Sequence, residues 1–147
     1  MTAKQYLRQI YKLNEKIKDK QERINSLRLM SESIGAIDYS KDKIKLSPSA
    51  DASFTNQIMQ IIKFEKELEK DKNRMKELFV EISRTIDQVE NVNEMLVLSK
   101  RYLLMKSWEQ IAEEMNYSVR QIHRIHSEAL KHVTKCHRMS QFMLDIM

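Results

Sequence analysis

One glycine, Gly35, and one proline, Pro48, are all that this chain of 147 residues offers for sharp changes of direction. Hairpin turns need residues that tolerate positive φ, and phosphate-cradling loops need backbone without Cβ atoms. Turn-rich β folds, dinucleotide-binding folds and P-loop folds are therefore not expected. With 32% charged residues, 41% hydrophobic residues and ten methionines, the chain has enough apolar material for one modest core. The expectation is an all-α protein.

The first segment places Tyr6, Ile10, Leu13, Ile17, Ile24 and Leu27 at alternating spacings of four and three, with Lys20 at the polar position of the seam. A second series runs Ile58, Ile61, Glu65, Leu68, Lys72, Met75, Phe79, Ile82, Ile86 and Val89. Two long amphipathic helices follow, read as a coiled-coil-like hairpin over residues 1–89. The stretch 31–53 holds Gly35, Pro48 and several Ser and Asp without helical period, and is expected to be the linker. Folding back about its middle sets Lys20 opposite Glu65, a polar pair that would fix register. Pairing between two chains is the competing arrangement.

Charge is uneven along this framework. The whole chain carries +5 with a pI near 9.3, and residues 1–50 hold 11 basic against 6 acidic groups. Lys4, Arg8, Lys12 and Lys16 recur every fourth position, a ridge that can follow a phosphate backbone or simply face water. The lone Cys136 cannot form an internal disulfide, and no apolar run approaches the roughly 20 residues of a membrane span. A cytoplasmic protein without a membrane anchor is expected. The N-terminus lacks a secretory h-region and is expected to remain in the mature chain.

After Val89 the heptad stops at Glu90-Asn91-Val92-Asn93, where Asn favours a helix cap over an interior. Residues 90–135 read as a separate domain and 136–147 as a tail or helix extension. Met95 to Met105 is apolar on one face. Ser107-Trp-Glu-Gln110 and Ser118-Val-Arg-Gln121 then repeat the S-x-x-Q capping box, so two helices are expected to start there. The first turns Ile111, Ala112 and Met115 inward; the second turns Ile122, Ile125, Ala129 and Val133 inward. Only Asn116 and Tyr117 separate the first helix from the second cap, and Asn tolerates the left-handed conformation such a junction requires.

A short helix, a tight turn and a second helix is the helix-turn-helix plan that sets the second helix in a DNA major groove. Its outer edge would be Val119, Arg120, His123 and Arg124, with Ser127 one turn later. Arg can pair with guanine, Val can touch a thymine methyl, and His can bond a base or phosphate. Ser118, Gln121, Lys131 and Arg101 are the expected phosphate contacts.

The stretch from Leu98 to Leu130 resembles region 4 of the sigma-70 family. It is closer still to small late-gene activators of phages and prophages, the RinA-like and ArpU-like regulators. The resemblance rests on Arg101-Tyr102, Ile111-Ala112, Ser118 with Ile122, and Ala129-Leu130, and covers about a quarter of the chain. It implies a regulator of phage or prophage late genes that binds promoter DNA, with Val119, Arg120, His123 and Arg124 facing bases. Sigma factors commonly carry Arg-Glu where this chain has Val119-Arg120, so the resemblance implies an operator other than the usual −35 element. No segment resembles the promoter-melting region 2. Double-stranded DNA is the expected partner, with RNA polymerase and a second copy of the chain as further partners through the hairpin.

All four His and Cys136 lie between His123 and His137, but His137 is about 16 Å along the helix from His126, so one helix cannot gather them around a metal. Surface or DNA-facing histidines are expected instead. No Gly-rich oxyanion element accompanies Cys136, and neither an enzyme nor a cofactor is expected. A non-enzymatic adapter that binds RNA polymerase or a host protein, and a DNA-packaging protein like a terminase small subunit, remain as alternatives.

Overall fold

The computed structural model describes the backbone of residues 1–39 and 48–146 and the side chains of residues 1–32 and 52–135. Every regular element in that range is helical, and no strand occurs among the described residues. Helix α1 is Ala3–Tyr39, α2 is Pro48–Asp87 and α3 is Val92–Leu98. A π-helical turn, Ser99–Leu103, precedes α4, Trp108–Met115, and α5, Val119–Ile146. No described helix is long and apolar enough to cross a membrane.

The linker expected over 31–53 is narrowed from both sides. Helix α1 continues to Tyr39, and α2 starts at Pro48, whose fixed φ and missing N–H suit a first helical position. Residues 40–47 lie outside the described residues. At the other end, α5 carries the backbone of the expected tail on to Ile146, while the side chains of 136–147, Cys136 and His137 included, lie outside them too.

The chain divides into two compact units, one of Met1–Leu13 with Met75–Met147, the other of Asn14–Arg74. The sequence pattern predicts a division between 89 and 90, whereas the packing groups the first turns of α1 and the last turns of α2 with the C-terminal helices. The reason is one apolar cluster: Tyr6, Leu7 and Ile10 from α1, Leu78, Ile82 and Ile86 from α2, then Val89, Leu98, Tyr102, Ala129 and Val133. Each fully buried aliphatic side chain among them contributes about 1.5 to 3 kcal/mol relative to exposure. A second cluster, Val97, Ile111, Ala112 and Ile122, locks α3, α4 and α5 together, with Trp108, Met115, Tyr117, Val119 and Ile125 at its margin.

In the unit Asn14–Arg74 the helix segments run antiparallel, since partners on α2 fall in number as those on α1 rise. Lys20 Nζ donates to Asp71 Oδ2 at 2.7 Å, Arg28 to Glu65, and Ser31 Oγ to Gln57 Oε1 at 3.2 Å. The expected Lys20–Glu65 pair is thus replaced by Lys20–Asp71 and Arg28–Glu65, because the two helices pair in a register about six residues away from the one that folding back about the middle of 31–53 gives. On α2 and just beyond it, the inward stripe keeps Ile61, Glu65, Leu68, Met75, Ile82, Ile86 and Val89 of the series read in sequence, but Asp71 takes the place of Lys72 and Leu78, 2% exposed, that of Phe79, 40% exposed, while Ile58 is exposed. Adjacent apolar residues at 78–79 allow either choice, and only packing selects between them.

Candidate functional site

The C-terminal helices are joined by five local devices. Asn91 caps α3, its Oδ1 accepting the Glu94 amide at 3.1 Å. The π turn then ends in Met105 at φ 54°, where the Lys106 amide reaches back to the Lys100 carbonyl at 2.9 Å. Ser107 and Gln110 form a full capping box on α4, with bonds of 3.0 and 3.2 Å. Ser118 and Gln121 form the same reciprocal pair on α5, at 2.9 and 3.2 Å. Between them Asn116 adopts the left-handed conformation, φ 57° and ψ 41°, and the Tyr117 amide closes on the Ala112 carbonyl at 3.0 Å.

This junction fixes which face of α5 is buried. Ile122, His126, Ala129 and Val133 point into the unit, while Arg120, His123, Arg124 and Ser127 are exposed on the opposite side within about 100° of arc. Among the described residues, neither Arg120 nor Arg124 has an acid within ion-pair distance. Lys131 is exposed and pairs with Glu128 at 2.9 Å. Ser118 and Gln121 are exposed, and the capping box occupies the Ser hydroxyl oxygen and the Gln carbonyl oxygen. Ser127 Oγ donates to the His123 carbonyl at 3.0 Å.

Two expected site residues lie elsewhere. Val119 is half-buried at the margin of the Ile111–Ile122 cluster. Arg101 is half-buried and engaged: its guanidinium lies 4.3 Å from the Trp108 ring centroid and 5.5 Å from that of Tyr11, and Nη1 donates to the Lys106 carbonyl at 3.1 Å. Cation–π contacts of this kind satisfy a guanidinium without an anion. Arg101 therefore stands behind the exposed edge as a packing residue.

His126 corrects the expectation of surface histidines, being only 6% exposed. Its Nε2 lies 2.8 Å from Tyr102 Oη, and its ring meets Trp108 edge-on at 4.8 Å. Burial, reinforced by the positive charge of Lys4, His123 and Arg101, lowers its pKa to about 4, so the imidazole is neutral at pH 7. Burial likewise pushes the Tyr102 hydroxyl up to about 12. The inward period Ile122, His126, Ala129, Val133 was the signal for this in the sequence. His132, by contrast, is exposed, and its Nδ1 meets Glu94 Oε2 at 2.6 Å, tying α5 to α3.

Trp108 is the hub of the site. Its ring is 4.5 Å from that of His123 on the exposed edge, and Arg101 covers it in turn. On α4, Glu114 binds Lys100 at 2.7 Å and Lys106 at 2.5 Å; these two bonds hold its carboxyl below the usual carboxylate range. The arrangement presents guanidinium, imidazole and hydroxyl groups from one helix face whose position is set by a rigid backing. Comparison with family models, with curated proteins and with solved structures gave no match.

Proposed function

We propose that the chain is a sequence-specific DNA-binding transcription regulator: α4 and α5 act as a helix-turn-helix, and the paired segments of α1 and α2 act as a helical hairpin. Arg120 and Arg124 carry the reading. They are one turn apart on the first two turns of a capped helix, exposed, and free of acid partners among the described residues. Arginines so displayed match the bidentate acceptors of guanine in the major groove, and His123 and Ser127 add donors beside them. Lys131 lies one turn further on, for phosphate. In this reading the protein works in the cytoplasm of a bacterial host at phage or prophage late promoters, as the region 4-like sequence implies, with the hairpin contacting RNA polymerase or a second copy.

Selection of bound sites from random duplexes tests the proposal. Enrichment of one operator is the expected result. Arg124→Ala then costs about 1 to 3 kcal/mol at one base position and relaxes its preference, whereas Lys131→Ala weakens all sequences alike. Failure to enrich any sequence, with no salt-sensitive duplex binding, overturns it. A non-enzymatic adapter is the second reading, favoured by Leu29 and Met59, which are 66% and 60% exposed on the paired helices. Such an adapter would capture its protein partner without duplex protection.

A further inference from the structure

The ridge of cations read on α1 is absorbed by none of the above, and its surroundings separate its members. Lys16 belongs to the unit Asn14–Arg74 and lies 3.7 Å from Asp71. Lys4, Arg8 and Lys12 belong to the unit that contains α5; they are exposed and have no acid within ion-pair distance among the described residues. The opposite side of the same helical turns is buried, with Leu7 and Ile10 in one cluster with Ala129 and Val133 of α5, and Ala3 and Leu130 at its margin. At four-residue spacing the three cations climb about 6 Å per step and drift only about 40° around the helix. They form one continuous strip.

The strip and the α5 edge border the same stack of rings. Tyr11, which neighbours Arg8 and Lys12 on that side of α1, donates its hydroxyl to the Arg101 carbonyl and meets Tyr102 edge-on at 6.0 Å. From the Tyr11 ring to the His123 ring there are three steps, of 5.5 Å to Arg101, 4.3 Å to Trp108 and 4.5 Å to His123. The Tyr11 and His123 rings therefore lie no more than about 14 Å apart. The nearness is also felt electrically, since Lys4 acts on His126 and Arg8 on Tyr102.

We infer that Lys4, Arg8 and Lys12 are a second phosphate-binding element, gripping the strand that borders the groove entered by the α5 edge. The inference rests on the DNA-binding reading and adds a part to it. Its role is affinity without sequence preference, because phosphates repeat regardless of base.

The test is the salt dependence of duplex binding by the full chain carrying Lys4→Ala, Arg8→Ala and Lys12→Ala together, with helix content checked by circular dichroism. A control chain with Lys63→Ala, Lys66→Ala and Lys70→Ala loses the same charge from exposed positions of the other unit. The expected result is that the slope of log affinity against log salt becomes shallower by about 2 to 3 in the first variant, with an unchanged ratio of operator to random-sequence binding. In the control the slope stays as in the parent, and Lys4→Arg with Lys12→Arg retains it too. An unchanged slope in the first variant, while Arg124→Ala still relaxes specificity, overturns the inference and leaves the reading standing. Equal slope changes in variant and control overturn it as well, as does a loss confined to binding of anionic lipid vesicles. A parent chain that binds no duplex removes both.

Discussion

The two compact units are built from the same long helices and differ in how they bury them. Met1–Leu13 with Met75–Met147 closes around a core of side chains contributed by α1, α2, α3, the π turn and α5, with Leu7, Ile10, Ile82 and Leu98 wholly enclosed. Asn14–Arg74 has only a two-helix seam, in which Ile24 and Leu68 are buried and Lys20 and Asp71 occupy a mostly buried position between them. Two helices cannot enclose a core, so this unit depends on register and charge where the other depends on volume. The difference teaches where each kind of change will be felt.

The largest effect is expected in the enclosed core. Leu98→Ala should cost about 2 to 5 kcal/mol, through lost transfer energy and the cavity left behind. Leu29→Ala, at an exposed position of the other unit, should stay within about 0.5 kcal/mol. Urea unfolding followed by Trp108 fluorescence, the chain's single tryptophan, measures the first. Segment-resolved amide exchange over Asn14–Arg74 measures the second. Comparable losses for the two would break the contrast.

Acid separates the units next. His126 takes a proton near 6.5 when unfolded and only near 4 in the fold. Its contribution is complete above pH 6.5 and shrinks as pH falls toward 4, by on the order of 3 kcal/mol. Asp71 is shifted the same way by a different cause, the hydrogen bond and charge of Lys20. Its contribution is complete above its unfolded value of 3.8 and is lost only below that. Between pH 6.5 and 4, then, Trp108 fluorescence should report weakening stability while exchange in the helix pair stays level. His126→Gln, which keeps a hydrogen-bonding group without the titration, should flatten the fluorescence curve.

Removing one member of the seam pair is a smaller step. Asp71→Ala should cost about 2 kcal/mol, the scale of a hydrogen bond to a charged group, because Lys20 is left largely enclosed with Glu67 at 3.6 Å as its remaining acid. Lys20→Leu with Asp71→Leu should recover most of that stability yet loosen register, read as altered oligomeric state by sedimentation. A double variant that is stable and pairs as before would show that the apolar seam alone fixes the alignment.

How much of this was legible beforehand depended on how far the cause lay from the residue. The caps were local: Ser107–Gln110, Ser118–Gln121 and Asn91 each act within three residues, and both capping boxes and the left-handed Asn116 follow from the sequence they occupy. The α1 seam was legible because Tyr6, Ile10, Ile17 and Ile24 offer one apolar stripe. Most of the α2 stripe was legible too, from Ile61 to Ile86, but at 78–79 it was not, because Phe79 and Leu78 are equally apolar and only the packing chooses. Arg101 read as a phosphate contact because its ring partners, Tyr11 and Trp108, come from 90 residues before it and from beyond the π turn. His126 stands in the inward period, but its residue type points to the surface, and only the packing of Tyr102 and Trp108 against it shows otherwise.

The smallest expected effect concerns two residues that the enclosed unit holds at positive φ, Met105 at 54° and Asn116 at 57°. Each ends a helix where the chain must reverse sharply, and among the described residues no other non-glycine residue does so. A Cβ costs about 1 to 2 kcal/mol in this conformation, less for Asn, whose short amide bonds locally. Met105→Gly should therefore stabilise the unit by about 1 kcal/mol, offset in part by the lost contact of its side chain with the core and the greater freedom of glycine when unfolded. Asn116→Gly should change stability by only a few tenths. Urea midpoints of the two variants test this ranking. A larger gain at Asn116 would mean that the junction before α5, not the one after the π turn, stores the greater strain, and that the edge of α5 is held under tension by its own turn.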